Sequence, residues 1–267
     1  MRITNKKLCD LTNRTNTNLI FFGFDRVDSS WNGTVLNPNY SRLYYITDGK
    51  ASVILKNGKQ FILAPKNWYL LPSDCSFDFC CEQQMEHVFF HLKICYFDGL
   101  DLLRSCKEPI FIEDSNIDVS LLIETLKRND ILNCLYVRQF VENIIFRLLD
   151  KNNIILEEKV FSSCVAKAIQ YINSNLSIEV SLEEISKNTY VSKSTLTKYF
   201  KKELGVSIHK YIFDKIMCET EQLLLQNKIT IREISDRYNF YDQFYFSRCF
   251  KKRYGISPTE YRKIKII

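Results

Sequence analysis

A chain of 267 residues, 46 % of them hydrophobic, is long enough for two domains that each bury a core, and too apolar for a disordered tail. No run of about 18 apolar residues occurs, which excludes a transmembrane helix and argues against a membrane partner. The net charge of +6 is unevenly held: residues 162–267 carry 18 Lys and Arg against 11 Asp and Glu, whereas residues 1–161 carry 19 against 20.

Residues 1–17 are polar and rich in Asn and Thr, with no signal-peptide core, so the expected location is the cytoplasm. From Leu19 to about Ile94 the segments are short, aromatic and β-branched. Residues 43–47 precede Asp48-Gly49 and residues 52–55 precede Asn57-Gly58, two dipeptides that favour tight hairpin turns. Residues 61–63, 68–71 and 88–92 add further strands. This spacing predicts an antiparallel β-barrel or jelly roll over residues 1–113.

Enzyme chemistry finds little support in that barrel. The chain has three histidines, His87, His91 and His209. On a strand, His87 and His91 share a face but stand about 13 Å apart, too far to share a metal. Neither a Ser/His/Asp grouping nor a Gly-rich phosphate loop is present, so no metal, cofactor or catalytic residue is expected. A barrel can still hold a small molecule. Trp31, Tyr40, Tyr44, Trp68 and Tyr69 are candidates to stack on a sugar ring, with Arg42 meeting a carboxylate or hydroxyl; the alternative for each aromatic is ordinary core packing. The ten cysteines are scattered without a Cys-x-x-Cys pair and read most simply as reduced, small, often buried residues, the alternative being a redox sensor.

Residues 118–149 return to helical periodicity through Leu121, Leu122, Leu126, Leu132, Leu135, Val141, Ile145 and Leu148. That apolar excess suits either a dimerisation surface or packing against the barrel. Residues 151–159 read as a linker, which makes 114–160 a helical connecting region.

The last part, residues 161–267, says the same thing twice. Glu184-Ile185-Ser186 is echoed by Glu233-Ile234-Ser235, 49 residues later, and the run from Phe200 to Ser207 is echoed from Phe250 to Ser257, 50 residues later. Ser181 with Glu184, and Thr230 with Glu233, have the spacing of a capping box. Each box opens a short helix; after a turn, Ser192 or Asp242 is suited to cap a second helix. In that second helix Leu196 and Phe200, or Phe246 and Phe250, point inward. Ser194, Thr197, Lys198 and Lys201 fall at i, i+3, i+4 and i+7 and form an outward stripe, matched by Phe244, Ser247, Arg248 and Lys251. Gly205 and Gly255 end the two helices. Helix, tight turn and helix with an outward basic stripe is the form of a helix-turn-helix.

Between the copies, residues 207–226 keep Ile208, Ile212 and Ile216 on one face. A helix of that length spans about 30 Å, close to the ~34 Å that separates successive major-groove faces of B-DNA. Ser194, Thr197, Lys198, Gln243, Phe244, Ser247 and Arg248 are therefore the candidate base readers, Arg248 and Gln243 being suited to guanine and adenine. Phe244 has two readings: contact with a thymine methyl, or a return into the core. Lys193, Lys201, Lys202, Lys251, Lys252 and Arg253 are the candidate phosphate contacts, supplying affinity and salt dependence.

Residues 191–205 and 242–262 resemble the paired signatures of the AraC/XylS family of bacterial transcription regulators, and the resemblance covers residues 162–264. Ser235 stands where that family usually has Ala, Asn239 where it usually has Gly, and Lys198 where it usually has Arg. More loosely, residues 44–72 resemble the cupin-like sensor domain of many members. The resemblance implies a regulator of transcription, read as an activator. It also implies double-stranded DNA and RNA polymerase as partners, a homodimer, and a small-molecule effector such as a sugar that shifts a population of DNA-binding states. The alternatives are a regulator set only by its abundance, and a metal-independent cupin enzyme fused to a DNA-binding domain.

Overall fold

The structure is a computed structural model that describes residues 4–36, 38–96, 101–156 and 161–263. The chain divides into two units, Met1–Glu157 and Glu158–Ile267.

In the first unit, the aromatic and β-branched segments form strands β1 (Thr15–Asp28), β2 (Asn32–Val35), β3 (Ser41–Gly49), β4 (Ala51–Leu55), β5 (Gln60–Leu63), β6 (Asn67–Leu71), β7 (Phe77–Cys80), β8 (Gln84–Tyr96) and β9 (Ile110–Glu113). They build two antiparallel sheets, one of order β1-β8-β3-β6-β9 and one of order β2-β7-β4-β5. Successive side chains of a strand point to opposite faces. Tyr44 and Ile46 of β3, Tyr69 and Leu71 of β6 and Met85 and Phe89 of β8 therefore meet Val53, Leu63 and Phe77 between the sheets. Leu43, Tyr45, Trp68, Leu70, Val88 and Phe90 point the other way. They pack under α2 (Val119–Leu126) and α3 (Ile131–Lys151), through Leu122, Val137, Val141, Ile144, Ile145 and Leu148. Burial on both faces explains why β3 and β8 read as continuous apolar runs.

The packing of α3 settles where part of the apolar excess of residues 118–149 goes: one face covers the five-stranded sheet. Ile131, Leu132, Leu135 and Phe146 remain exposed. Of the linker expected at 151–159, Lys151 ends α3, residues 152–156 lie in no helix or strand, and residues 157–159 lie outside the described residues.

Two details depart from expectation. Asn57-Gly58 does turn β4 into β5, with Ile54 opposite Gln60, but Asp48-Gly49 is not a hairpin, because β3 and β4 lie in different sheets. Gly49 is needed there for another reason: its φ is +70°, and any side chain would collide with the carbonyl oxygen of Gln84 on β8. Ahead of β1, within the stretch assigned to the barrel, residues form a helix instead, α1 (Lys6–Arg14), capped by Asn5 Oδ1 accepting from the Leu8 amide at 2.9 Å. None of its residues is buried.

The second unit is helical: α4 (Ser163–Ser174), α5 (Leu182–Thr189), α6 (Lys193–Leu204), α7 (Ile208–Gln226), α8 (Ile231–Arg237), α9 (Gln243–Tyr254) and α10 (Pro258–Lys263). A single core holds all of it. Ile185, Leu196 and Phe200 of the first copy share that core with Ile234, Phe246 and Phe250 of the second, joined by Ile212, Ile216, Met217 and Leu224 of α7.

Candidate nucleic-acid interface

Each helix-turn-helix begins with a closed capping box. Ser181 Oγ accepts from the Glu184 amide at 3.2 Å while the Ser181 amide donates to Glu184 Oε2 at 2.9 Å; Thr230 and Glu233 do the same at 3.1 and 2.6 Å. The Ser181 and Thr230 amides hold the two Glu carboxyls below the usual carboxylate range. The turns then pass through a left-handed residue at equivalent places, Tyr190 with φ 59° and Asn239 with φ 56°. Ser192 and Asp242 cap α6 and α9 through the amides of Thr195 and Tyr245, and left-handed Gly205 and Gly255 end both helices.

With Leu196, Phe200, Phe246 and Phe250 fully buried, the opposite faces of α6 and α9 turn outward. On α6, Ser194, Thr197, Lys198, Lys201 and Lys202 are exposed, and with Lys193 and Leu182 of α5 they line an open hollow. On α9, Phe244, Arg248, Lys251 and Lys252 are exposed, while Gln243, Ser247 and Arg253 are half-buried. The return of Phe244 into the core is excluded, since 65 % of its surface is open to solvent.

Several of these side chains already have neighbours. Lys193 Nζ lies 3.0 Å from Glu183 Oε2, a carboxylate also bridged by Lys187 at 3.2 Å. Ser247 Oγ donates to the Gln243 carbonyl at 2.7 Å, which commits its proton within the helix. The Arg248 guanidinium lies 5.8 Å from the centre of the Tyr245 ring, and that of Arg253 lies 5.6 Å from the Tyr254 ring. Lys198, Lys201, Lys251 and Lys252, by contrast, extend from exposed helix faces. A convex helix that carries hydroxyls, an arginine and lysines, mounted on a rigid core, can enter a major groove and meet base edges and phosphates.

The sensor candidates separate by strand parity. Trp31, Tyr44 and Tyr69 are buried between the sheets. Arg42 joins them with its guanidinium 4.5 Å from the Tyr40 ring and 5.7 Å from the Phe77 ring. Trp68 does not belong with this group: it faces α3 on the far side of the sheet, 5.8 Å from the Phe140 ring. Adjacent residues of one strand, such as Trp68 and Tyr69, face opposite ways, so the alternation alone could have divided them.

Sequence reasoning weighed His87 and His91 as metal ligands or as ordinary packed or exposed residues, and missed their place in this set. His87 lies 5.4 Å from the Tyr44 ring and His91 lies 5.0 Å from the Tyr40 ring. Burial pushes the His87 imidazole down to about 4 and holds His91 well below the ordinary histidine value, so both are neutral near pH 7. Trp31 Nε1, His87 Nδ1 and both ring nitrogens of His91 are buried without a hydrogen-bond partner among the described residues. Buried polar atoms of this kind are costly unless something pairs with them.

Residues 185–264 match the helix-turn-helix domain family. Over 94 residues the chain is 35 % identical to the multiple antibiotic resistance protein MarA of Salmonella typhimurium, covering 35 % of this chain and 74 % of that protein. It is 31 % identical over 146 residues to the lactose operon transcription activator of Staphylococcus xylosus, covering 54 % of this chain and only about half, 51 %, of that relative. Identity to the Msm operon regulatory protein of Streptococcus mutans is 24 % over 261 residues, 91 % of each chain. Among solved structures, ToxT from Vibrio cholerae, crystallised with an unsaturated fatty acid bound, has a TM-score of 0.57 at 17 % identity, covering 98 % of this chain and 97 % of that one, and shares the fold. Doubled capping boxes, twin outward helices on one core and a MarA-like sequence along them lead to one conclusion: the chain belongs to the AraC/XylS family of bacterial transcription regulators.

Proposed function

We propose that this regulator acts in the cytoplasm by laying α6 and α9 in successive major-groove segments on one side of a DNA duplex. Ser194, Thr197, Lys198, Gln243, Phe244, Ser247 and Arg248 meet base edges. Lys201, Lys202, Lys251 and Lys252 meet phosphates, with Lys193 and Arg253 at the margins because each already leans on a neighbour. The observation that carries this reading is the sharing of one core by both helices through α7. At 19 residues, α7 spans about 28 Å, near the repeat of the groove.

The test is selection of binding sites from a random duplex library by the full chain, followed by footprinting. Two protected major-groove segments about 10 base pairs apart are expected. Recovery of random sequence alone, or one protected segment only, overturns the reading.

Regulation is assigned to the first unit. A small molecule held between its sheets gives the orphaned nitrogens of Trp31, His87 and His91 their partners, and a change in sensor stability would then alter DNA occupancy or contact with RNA polymerase. A sugar is the first class to try, because a relative is named for the lactose operon; an unsaturated fatty acid is the second, because ToxT was crystallised with one. Calorimetric titration of the full chain with both classes tests this, and a flat response throughout favours a regulator set by its abundance. Homodimerisation is assigned to the exposed face of α3, where Ile131, Leu132, Leu135 and Phe146 lie open. Sedimentation of Leu135→Glu against the parent chain tests it: an unchanged mass excludes this face.

A further inference from the structure

The geometry points to Phe244 as a thymine reader: its ring would bury the 5-methyl group of a thymine beside the base read by Arg248. This inference rests on the reading that α9 enters the major groove. Phe244 is the second residue of α9, whose first turn is fixed by Asp242 Oδ1 accepting from the Tyr245 amide at 2.6 Å. Recognition helices present this N-terminal part to the bases.

The ring is not structural filling. Beneath it the core is completed by Phe240, Phe246 and Phe250, whereas Phe244 keeps 65 % of its surface in water. Phe244, Ser247, Arg248 and Lys251 follow i, i+3, i+4 and i+7, so the ring shares its helical face with two cations. The hydroxyl proton of Ser247 is already given to the Gln243 carbonyl. The centre of this face therefore offers one guanidinium and one apolar ring.

Among major-groove base edges, the thymine methyl is the apolar feature, and a phenyl ring is a fitting partner for it. The surrounding Arg248, Lys251 and Lys252 favour a polyanion over an apolar protein face as the occupant. At the equivalent position of the first copy stands Ser194, an exposed hydroxyl. Sensitivity to the methyl group should therefore be confined to the segment bound by the second copy.

The experiment uses the full chain and a duplex enriched from a random library. Each thymine of the two protected segments is replaced in turn by deoxyuridine, which removes only the methyl group. One position in the second segment should lose about fourfold in affinity, the equivalent of the ~0.8 kcal/mol carried by one buried CH2. Phe244→Ala should bind the thymine and uracil duplexes equally, whereas Phe244→Leu should keep part of the preference. Circular dichroism of both variants should match the parent, because most of the ring lies in water. Equal binding of every uracil duplex by the parent chain overturns the inference while leaving the DNA reading intact. A preference that survives in Phe244→Ala also overturns it, because another residue then reads the methyl group. Enrichment of no duplex at all removes the DNA reading and this inference with it.

Discussion

The two helix-turn-helix copies close their turns by different means, although the serine at the heart of each is the same. In the first copy Ser186 Oγ donates to the Val191 carbonyl at 2.6 Å. In the second, the main chain does the work: the Phe240 amide donates to the Ser235 carbonyl at 3.0 Å, and Ser235 Oγ is buried without a partner among the described residues. The cause is length. Between the left-handed residue and the cap of the second helix the first copy has Val191 alone, and the second has Phe240 and Tyr241. The residue gained in the duplicate thus falls in the turn, where Tyr241 is 93 % exposed and costs no packing. Framework positions were kept in both copies, while the turn and the outward stripe were free to diverge.

The largest expected effect tests whether the copies are one structure. Phe200→Ala and Phe250→Ala each remove a fully buried ring from the shared core, and each should destabilise the second unit by about 3–5 kcal/mol. Chemical denaturation should show one transition for α4 to α10 in either variant; separate melting of the two copies would break the comparison. Next comes the difference between readers. Arg248→Ala should weaken specific binding by about 1–3 kcal/mol and relax one operator position. Lys198→Ala should cost less and act mainly through the salt slope, because an ammonium lacks the bidentate fork. Gel-shift titrations on singly substituted duplexes separate the two, and equal relaxation by both would erase the asymmetry.

The serines should respond with opposite signs. Ser235→Ala removes an unpaired buried hydroxyl and should stabilise by about 1 kcal/mol, whereas Ser186→Ala strands the Val191 carbonyl and should destabilise by a similar amount. Thermal melts of the two variants read this directly. The smallest effect concerns the left-handed residues. Tyr190→Gly relieves a conformation that a Cβ disfavours and should stabilise by about 0.5 kcal/mol. Asn239→Gly should gain nothing, since Asn tolerates that backbone and its amide donates to Glu179 Oε2 at 2.8 Å.

Legibility in the sequence followed the range of the interactions. Caps, left-handed glycines and the i, i+4 phenylalanines are local, and the second unit formed from α5 to α10 where they indicated. Ser257 and Glu260 have the same local box spacing and cap α10, the Glu260 amide donating to Ser257 Oγ at 3.2 Å. Even there α4 escaped notice, although Val165, Ala168, Ile169 and Ile172 carry a plain helical stripe, because no echo elsewhere in the chain pointed to it. In the first unit the strands themselves were readable, but not their partners. Asp48-Gly49 carries the local chemistry of a hairpin, and only the approach of Gln84 from a distant strand shows why it is used for something else. The inward-facing polar set was likewise hidden. His87 and His91 looked remote from Trp31 and Tyr40 until β8 was paired between β1 and β3.

The common core around α7 has a consequence for the promoters this protein would serve. A hinge between readers would let one regulator tolerate variable gaps, whereas a fused pair imposes a single pitch. Operators carrying a few additional base pairs would rotate one half-site out of register, so compensating change must arise in the DNA and not in the protein.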